Sequence, residues 1–499
     1  MGRPWAAAAW FVVLLLLASA CGSTSKQADE TTDGDSEALT TDDGDPETTA
    51  GPAATGGASR STAVVAQRPT GEVGKAPAPL VEGGGPVRMG RGVTPTTIKI
   101  GVNHSAPLGP AYRAVGFGGS AEGTDERPIT EALIKHLNKH GGIAGRKIVP
   151  SFFEYDAVTG GTWDSLAAAA CDRFNNDDKV FAVISGHVGQ TDSLLDCLAK
   201  GKTPLVTQNQ WPYDGKYYTD YAKYLYQPGR MRPERWVPQY VDGLADEKFF
   251  GAGYKLGILR FDAPVFGRIQ KVLESNLKAR KVAIAHTAVI ATPQSVGDFG
   301  QMGAQLQNAI LQFQSRGVNR VIFNEYASQI PFFFLTQAEE QRFRPRYGFT
   351  SVNLPGTIEQ QAAREQLNGA VAVSWLPAQD VHLREQDPRP SSDIFQTCIK
   401  WVNENGYKST SRLYVGTFCD SLLFLQKAFA KTNDITPDGL WNAAAKLGTS
   451  YDSPYTWATK FAPGRMDGAS QVRIARYDGK PCEGADGCFR YVGSLRPAG

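Results

Sequence analysis

Several signals that would assign an activity are missing from this sequence. It has no Gly-x-Ser-x-Gly elbow, no P-loop and no His-Glu-x-x-His pair. The common local marks of a serine hydrolase, a nucleotide phosphohydrolase and a zinc peptidase are therefore absent. No Cys-x-x-Cys pair occurs, which removes the usual frame of a structural zinc site. Neither sign of charge dominates: 52 Lys and Arg stand against 50 Asp and Glu, a net charge of +2. A nucleic-acid partner calls for a clearly basic domain, so none is expected. Long hydrophobic runs are scarce too. The apolar stretch from Trp5 to Ala18 is shorter than the ~20 residues that span a bilayer, and no second stretch is long and uncharged enough.

What stands at the N-terminus is a layout for export. Arg3 supplies a positive charge, the apolar stretch centres on Leu14-Leu15-Leu16-Leu17, and Ala18-Ser19-Ala20 follows as small residues. Cleavage is expected after Ala20, and residues 1–20 read as a signal peptide. Ala18-Ser19-Ala20 also suits ordinary signal peptidase. Leu17-Ala18-Ser19-Ala20-Cys21 resembles a bacterial lipobox, with Ala18 where Leu is preferred, so a lipid on Cys21 is expected. Without Cys21, six cysteines remain: Cys171, Cys197, Cys398, Cys419, Cys482 and Cys488. An even set in an exported chain reads as disulfides, although fifteen pairings of six cysteines are open. Local spacing favours Cys171 with Cys197, Cys398 with Cys419, and Cys482 with Cys488.

From Gly22 to about Arg91 the chain is Thr, Asp, Gly, Ala, Ser and Pro with few large apolar residues. Such a segment buries too little to offset its ordering entropy and reads as a flexible tether. A coil of about 70 residues has a root-mean-square span of roughly 45 Å. Asp42-Asp43-Gly44-Asp45 lacks the Gly and Glu positions of a calcium loop and reads as solvated spacer.

Folded structure is expected from Thr97. Thr97 to Val102 alternates as a strand. Pro128 opens a helix with Ile129, Leu133, Ile134 and Leu137 on one face, stopped by Gly141-Gly142. Arg146 to Tyr155 is a strand, Thr162 to Asn175 a helix, Val180 to Ile184 a strand, Asp192 to Lys200 a helix, and Pro204 to Thr207 a strand. That alternation predicts a parallel sheet with helices on both faces. Tyr213 to Asp246 breaks the rhythm, which then resumes from Tyr254 to Val373. Helices without strands follow at 392–405, 413–431 and 436–447, and two strands close the chain at 471–477 and 489–495. Two α/β runs in about 400 folded residues suggest two lobes.

In open parallel sheets ligands bind beyond the carboxyl ends of strands. The loops there are the place to search. Gly186, His187, Gln190 and Thr191 follow one strand and open a helix, where backbone N–H groups and the helix dipole favour an anion; Thr191 would also serve as a cap. Thr207, Gln208 and Asn209 follow the next strand, ahead of Trp211. In the second run, Phe266 follows Leu259 and Glu325 follows Phe323; Phe266 faces the cleft or fills core, and Glu325 meets a cationic group or lies exposed. Gly116-Phe117-Gly118-Gly119 resembles half a dinucleotide loop but stands in an irregular stretch, away from the strand-loop-helix succession such a loop needs. His136 and His140 have metal-ligand spacing, but they occupy the last turn of a helix with no third ligand nearby. No cofactor and no metal is expected.

The chain resembles type I periplasmic binding proteins, of the kind serving branched-chain amino acid and amide ABC transporters. The resemblance rests on Ile98-Lys99-Ile100-Gly101-Val102, on Asn138 to Ile148 with its Asn-x-x-Gly-Gly-Ile-x-Gly-Arg stretch, and on Tyr155-Asp156. Val180 to Gly186, Tyr254 to Gly267 and Cys419-Asp420-Ser421 also carry it. It implies two lobes, each a mostly parallel sheet flanked by helices, joined by three crossings and closing on a ligand. It implies a first-lobe disulfide at Cys171 and Cys197, and a ligand carboxylate or its equivalent held by Gly186 to Thr191 and Thr207 to Asn209. It further implies an aromatic contact at Phe266 and an ammonium partner in the segment of Glu325. His187 and Gln190 stand where the family often has small hydroxyl residues. The expected division is tether 21–94, first lobe 95–226, second lobe 227–385, return helices on the first lobe 386–450 and second-lobe strands 451–499. The expected function is a monomeric, non-enzymatic solute-binding protein, lipid-anchored on the outer face of the cell membrane. It would deliver an amino-acid-like or amide-like ligand to an ABC permease. A sensor of the same fold docking to a membrane receptor is the alternative, and a cleft hydrolase the third.

Overall fold

The computed structural model describes residues 86–106, 125–158, 161–186, 191–381, 394–409, 411–482 and 487–499. The signal peptide, Cys21, the segment through residue 85, Gly116 to Gly119, His187 and Gln190 lie outside the described residues. Fourteen strands occur among those described: β1 (Arg88–Met89), β2 (Thr97–Ser105), β3 (Lys147–Tyr155), β4 (Ala182–Ser185), β5 (Leu205–Thr207), β6 (Leu225–Tyr226), β7 (Leu256–Phe261), β8 (Ile284–Ile290), β9 (Arg320–Asn324), β10 (Arg346–Thr350), β11 (Val371–Ser374), β12 (Asp434–Ile435), β13 (Gln471–Asp478) and β14 (Cys488–Pro497).

They form two main sheets. The first is all parallel, in the order β3-β2-β4-β5-β6. The second runs β14-β13-β11-β10-β9-β7-β8, parallel from β7 to β11 and antiparallel through β13 and β14. Their central strands are apolar on both faces because helices cover both sides: β4, β5 and β11 are buried at every residue. The chain crosses between the sheets three times: after β6, after β11, and before β13. Between the second and third crossings, helices Ile394–Glu404 and Arg412–Phe429 pack on helix Glu126–Lys139 of the first sheet.

Local chemistry accounts for many of the boundaries. Thr162, Ser411 and Thr436 each cap a helix by accepting an N–H through the side-chain oxygen, and Pro233, Pro264 and Pro437 begin helices. The Asn-x-x-Gly-Gly stretch is a built corner. Asn138 pairs with Ile148 like an extra strand, its Nδ2 donating to O (2.9 Å) and its Oδ1 accepting from N (2.7 Å). Gly142 has φ +63°, and a Cβ there would fall 1.9 Å from the Arg146 carbonyl oxygen, so no other residue fits. Arg146 then ties the turn to the N-terminal segment, donating to the carbonyls of Thr94 (2.8 Å) and Ala144 (2.7 Å).

Two boundaries differ from the sequence reading. The first strand among the described residues is at Arg88, earlier than Thr97; β1 pairs in parallel with β12, and Arg91 donates to Asn175. Such pairing across more than 300 residues has no local signal. The irregular stretch Tyr213 to Asp246 holds short elements: helix Gly215–Asp220, β6 and helix Pro233–Asp246. Pro238 inside the last helix hides its periodicity. Disulfides join Cys171 to Cys197, Cys398 to Cys419 and Cys482 to Cys488. His136 stacks between His140 (4.2 Å) and Trp401 (4.3 Å), and its pKa is lowered first by burial and then by His140.

Candidate functional site

The loop beyond β5 and those beyond β7, β9, β10 and β11 come together between the two sheets. Gly186 follows β4. Its N–H donates to the Asn103 carbonyl (3.1 Å), and a Cβ there would lie 2.6 Å from Glu126 Oε2. Glu126 is buried at the first turn of its helix and accepts from the Ser105 N–H (2.7 Å). Thr191 turns its hydroxyl away from the strand ends, donating to Asp164 Oδ1 (2.6 Å) beside Ser193 Oγ (3.0 Å). Thr207 Oγ1 accepts from the Asn209 N–H (3.0 Å), bracing the turn. Asn209 Nδ2 donates to the Tyr213 hydroxyl (3.3 Å).

Gln208 reaches furthest. Its Nε2 donates to Asp420 Oδ2 on helix Arg412–Phe429, and its carbonyl accepts from Arg230. Arg230 lies in the first crossing and also donates to the hydroxyl of Tyr455, in the third (3.3 Å). Gln379, past β11, donates to the same hydroxyl. Asp380 Oδ2 accepts from Ser351 Oγ (2.9 Å) and from the Leu376 N–H (2.7 Å). A polar floor thus spans both sheets and all three crossings. Burial pushes the Asp380 carboxyl up to about 8 and the Asp420 carboxyl up to about 7, against hydrogen bonds that favour the ionised forms.

Beside this floor stands an aromatic wall. Trp211, from the β5 loop, meets Phe266 (ring centroids 5.8 Å) and Tyr326 (5.2 Å), and Phe261 packs on both of the latter. Phe266 is fully buried in this cluster, at the seam of the two sheets, and stacks on Tyr326 (5.9 Å). Glu325 is turned into its own lobe. Asn353 Nδ2 donates to it, the amides of Ser328, Gln329 and Ile330 donate toward it, and burial raises its pKa to about 8. A carboxyl held so is a poor partner for an ammonium at neutral pH.

Two further contacts bind the halves together. Arg268 forms a two-pronged ion pair with Asp214, and the Trp163 N–H donates to the Gln294 carbonyl (2.9 Å). Of the residues expected from sequence, Gln208, Trp211 and Phe266 join this interface. Glu126, Arg230, Tyr326, Asp380 and Tyr455 were not anticipated. Glu126 opens a helix, and the others stand just past a strand or in a crossing, which is invisible until strand ends and crossings are known.

Two mostly parallel sheets flanked by helices, with strand ends facing across three crossings, are the fold of two-lobed, type I periplasmic binding proteins. Solved structures similar to this chain include ABC transporter substrate-binding proteins. A fatty acid ABC transporter substrate-binding protein from Thermomonospora curvata is 16% identical, with 82% of this chain and 95% of that one covered and a TM-score of 0.57. A substrate-binding protein from Desulfitobacterium hafniense in complex with Leu is 16% identical, covering 79% and 100%, with a TM-score of 0.52. A solute-binding protein from Rhodopseudomonas palustris BisB5 in complex with 3,4-dihydroxybenzoic acid is 13% identical, covering 81% and 98%, with a TM-score of 0.57. No family model and no curated protein matches the chain.

Proposed function

We propose that this chain is the solute-binding component of an ABC importer. It captures a small polar ligand between its lobes and presents the closed form to a permease. The observation that carries this reading is the seam itself: buried polar groups from both sheets and all three crossings converge where strand ends meet. Closure couples to binding because only the closed form contacts a ligand from both sides. The similarity to substrate-binding proteins supports the same reading, and supports a binding role over catalysis.

Gly186, Thr207, Gln208 and Asn209 are the first-lobe side of the proposed site, and Phe266 backs it from the second. The amino-acid version assigns the ammonium to Glu325, and the surroundings of that carboxyl do not favour it. The chain acts as a monomer, held at the outer face of the membrane by a lipid on Cys21, without metal or cofactor.

A thermal-shift screen over amino acids, amides and small organic anions tests the binding role, since ligands of the folded state raise apparent stability. X-ray scattering with and without a hit tests closure. No stabilising compound and no compaction would count against the proposal. Cys21→Ser should move the protein from the membrane fraction to the soluble one; unchanged partition would remove the lipid anchor.

A further inference from the structure

Arg230 and Arg235 lie five positions apart, and both are buried, at 5% and 8% exposure. Arg235 is fully met: Nη1 donates to the Asp467 carboxylate and carbonyl, Nη2 to the carbonyls of Ala469 and Ala498, and Nε to that of Gly499. Arg230 is not. Nε and Nη2 donate to the Gln208 carbonyl, and Nη2 donates also to the Tyr455 hydroxyl. No described residue accepts from Nη1, and no carboxylate among the described residues forms an ion pair with this guanidinium. Asp380 and Asp420 stand close enough to feel its charge, but their oxygens are turned to Ser351 and Leu376, and to Tyr451 and Gln208.

Nη1 is not among the fully enclosed unpartnered atoms, so this edge of the guanidinium borders open space and is free to meet a ligand. The surroundings show what is missing. Gln208 Oε1 and Gln379 Oε1 are buried on residues that meet Arg230 or its partner Tyr455, and they have no hydrogen-bond partner among the described residues. Gln208 belongs to the end of β5, and Asp380 is tied to the ends of β10 and β11. The unmet Nη1 edge and the unmet acceptors therefore lie together where the two lobes meet.

We infer that Arg230 is the anion anchor of the cleft. The ligand is a small organic acid whose carboxylate takes the Nη1 side of the guanidinium, and whose hydroxyl or N–H groups meet Gln208 Oε1 and Gln379 Oε1. A planar guanidinium is the side chain best matched to a carboxylate. The raised pKa of Asp380 agrees with this: a carboxyl that keeps its proton near pH 7 does not cancel the charge of Arg230. The inference rests on the cleft being a solute site and narrows the class of solute.

The test uses the folded chain and acid–amide pairs of matched shape: 4-hydroxybenzoate with 4-hydroxybenzamide, octanoate with octanamide, and leucine with leucinamide. An acid should raise the melting temperature and its amide, which lacks the carboxylate, should not. Arg230→Gln should weaken the acid on the order of tenfold to a hundredfold, with the ligand-free melting temperature unchanged or higher. Arg230→Lys should retain part of the binding, because it keeps the charge and loses the fork. The proposal is overturned if an amide binds as tightly as its acid, or if Arg230→Gln leaves acid affinity unchanged. It is also overturned if Arg230→Gln lowers ligand-free stability and weakens acids and amides alike, which would mark a structural clamp. Should Arg230→Gln fail to fold, the acid–amide comparison on the unaltered chain and the lysine variant decide alone. If no acid, amide or amino acid binds at all, the cleft reading itself falls, and this inference with it.

Discussion

Burial raises the Glu325 carboxyl to about 8 although Asn353 and three backbone amides donate toward it. The sign of its effect on stability follows from proton counting. A carboxyl with an ordinary value of 4.5 unfolded and about 8 folded keeps its proton longer in the native state. Between those values the native state binds more protons, so stability falls as pH rises through that window. Asp380 and Asp420 act in the same direction. Urea unfolding of the unaltered chain should therefore show lower stability at pH 8 than at pH 5.5, and Glu325→Gln should remove a share of that slope. Parallel slopes for the two proteins would contradict the buried, neutral carboxyl. The same surroundings are not visible from sequence. An acid one residue past a strand looks like a ligand contact, and only the return of the loop at Asn353 shows what it meets.

Among the elements, the corner between helix Glu126–Lys139 and β3 was legible as a stop and a turn. Its physical reason is the φ of Gly142 and the 1.9 Å approach of the Arg146 carbonyl to a Cβ placed there. Gly142→Ala should destabilise the chain by about 2 kcal/mol or more, since it adds a steric clash to the cost of a strained φ. Chemical denaturation measures this, and a loss within ~0.5 kcal/mol would mean that the corner relaxes freely. A second element-scale device is the pair Arg268–Asp214, which links the helix after β7 to the loop after β5. Arg268 is about one-third exposed while Asp214 is buried, so the pair is only partly screened by solvent. Its effect extends to the open–closed balance. Arg268→Ala should enlarge the ligand-free radius of gyration in scattering and lower the melting temperature, since Asp214 loses its partner. An unaltered radius would mean that Trp211 and its aromatic partners hold the seam without this pair.

For the whole molecule, three disulfides staple separate regions: one flanks the first sheet, one joins the two return helices, and one closes the last hairpin. The bridge from Cys171 to Cys197 closes a loop with a sequence separation of 26. Loop entropy alone makes it worth about 3 kcal/mol. Replacing both cysteines by Ala should lower unfolding free energy by that order and leave the ligand affinity of the folded protein intact. A loss of affinity without a loss of stability would connect the bridge to the cleft instead.

Strand and helix periods, capping residues, the Gly-Gly stop and the even set of cysteines are local or countable. They determined, from sequence alone, the α/β class, the order of elements and the two-lobed resemblance. The positions of loops beyond strands also pointed to Gln208 and to Trp211. Only the tertiary structure decided the rest. Arg230, Asp380, Asp420 and Tyr455 come from two crossings, a short helix past β11 and a return helix. Their meeting depends on how two sheets pack across three connections, and no periodicity encodes that. The same holds for direction: Thr191, Phe266 and Glu325 stand near the expected strand ends, but packing turned the first toward Asp164, the second into the aromatic seam and the third toward Asn353. Sequence places a residue along the chain; which neighbour its side chain meets is set by burial and by hydrogen bonds that form only once distant segments arrive.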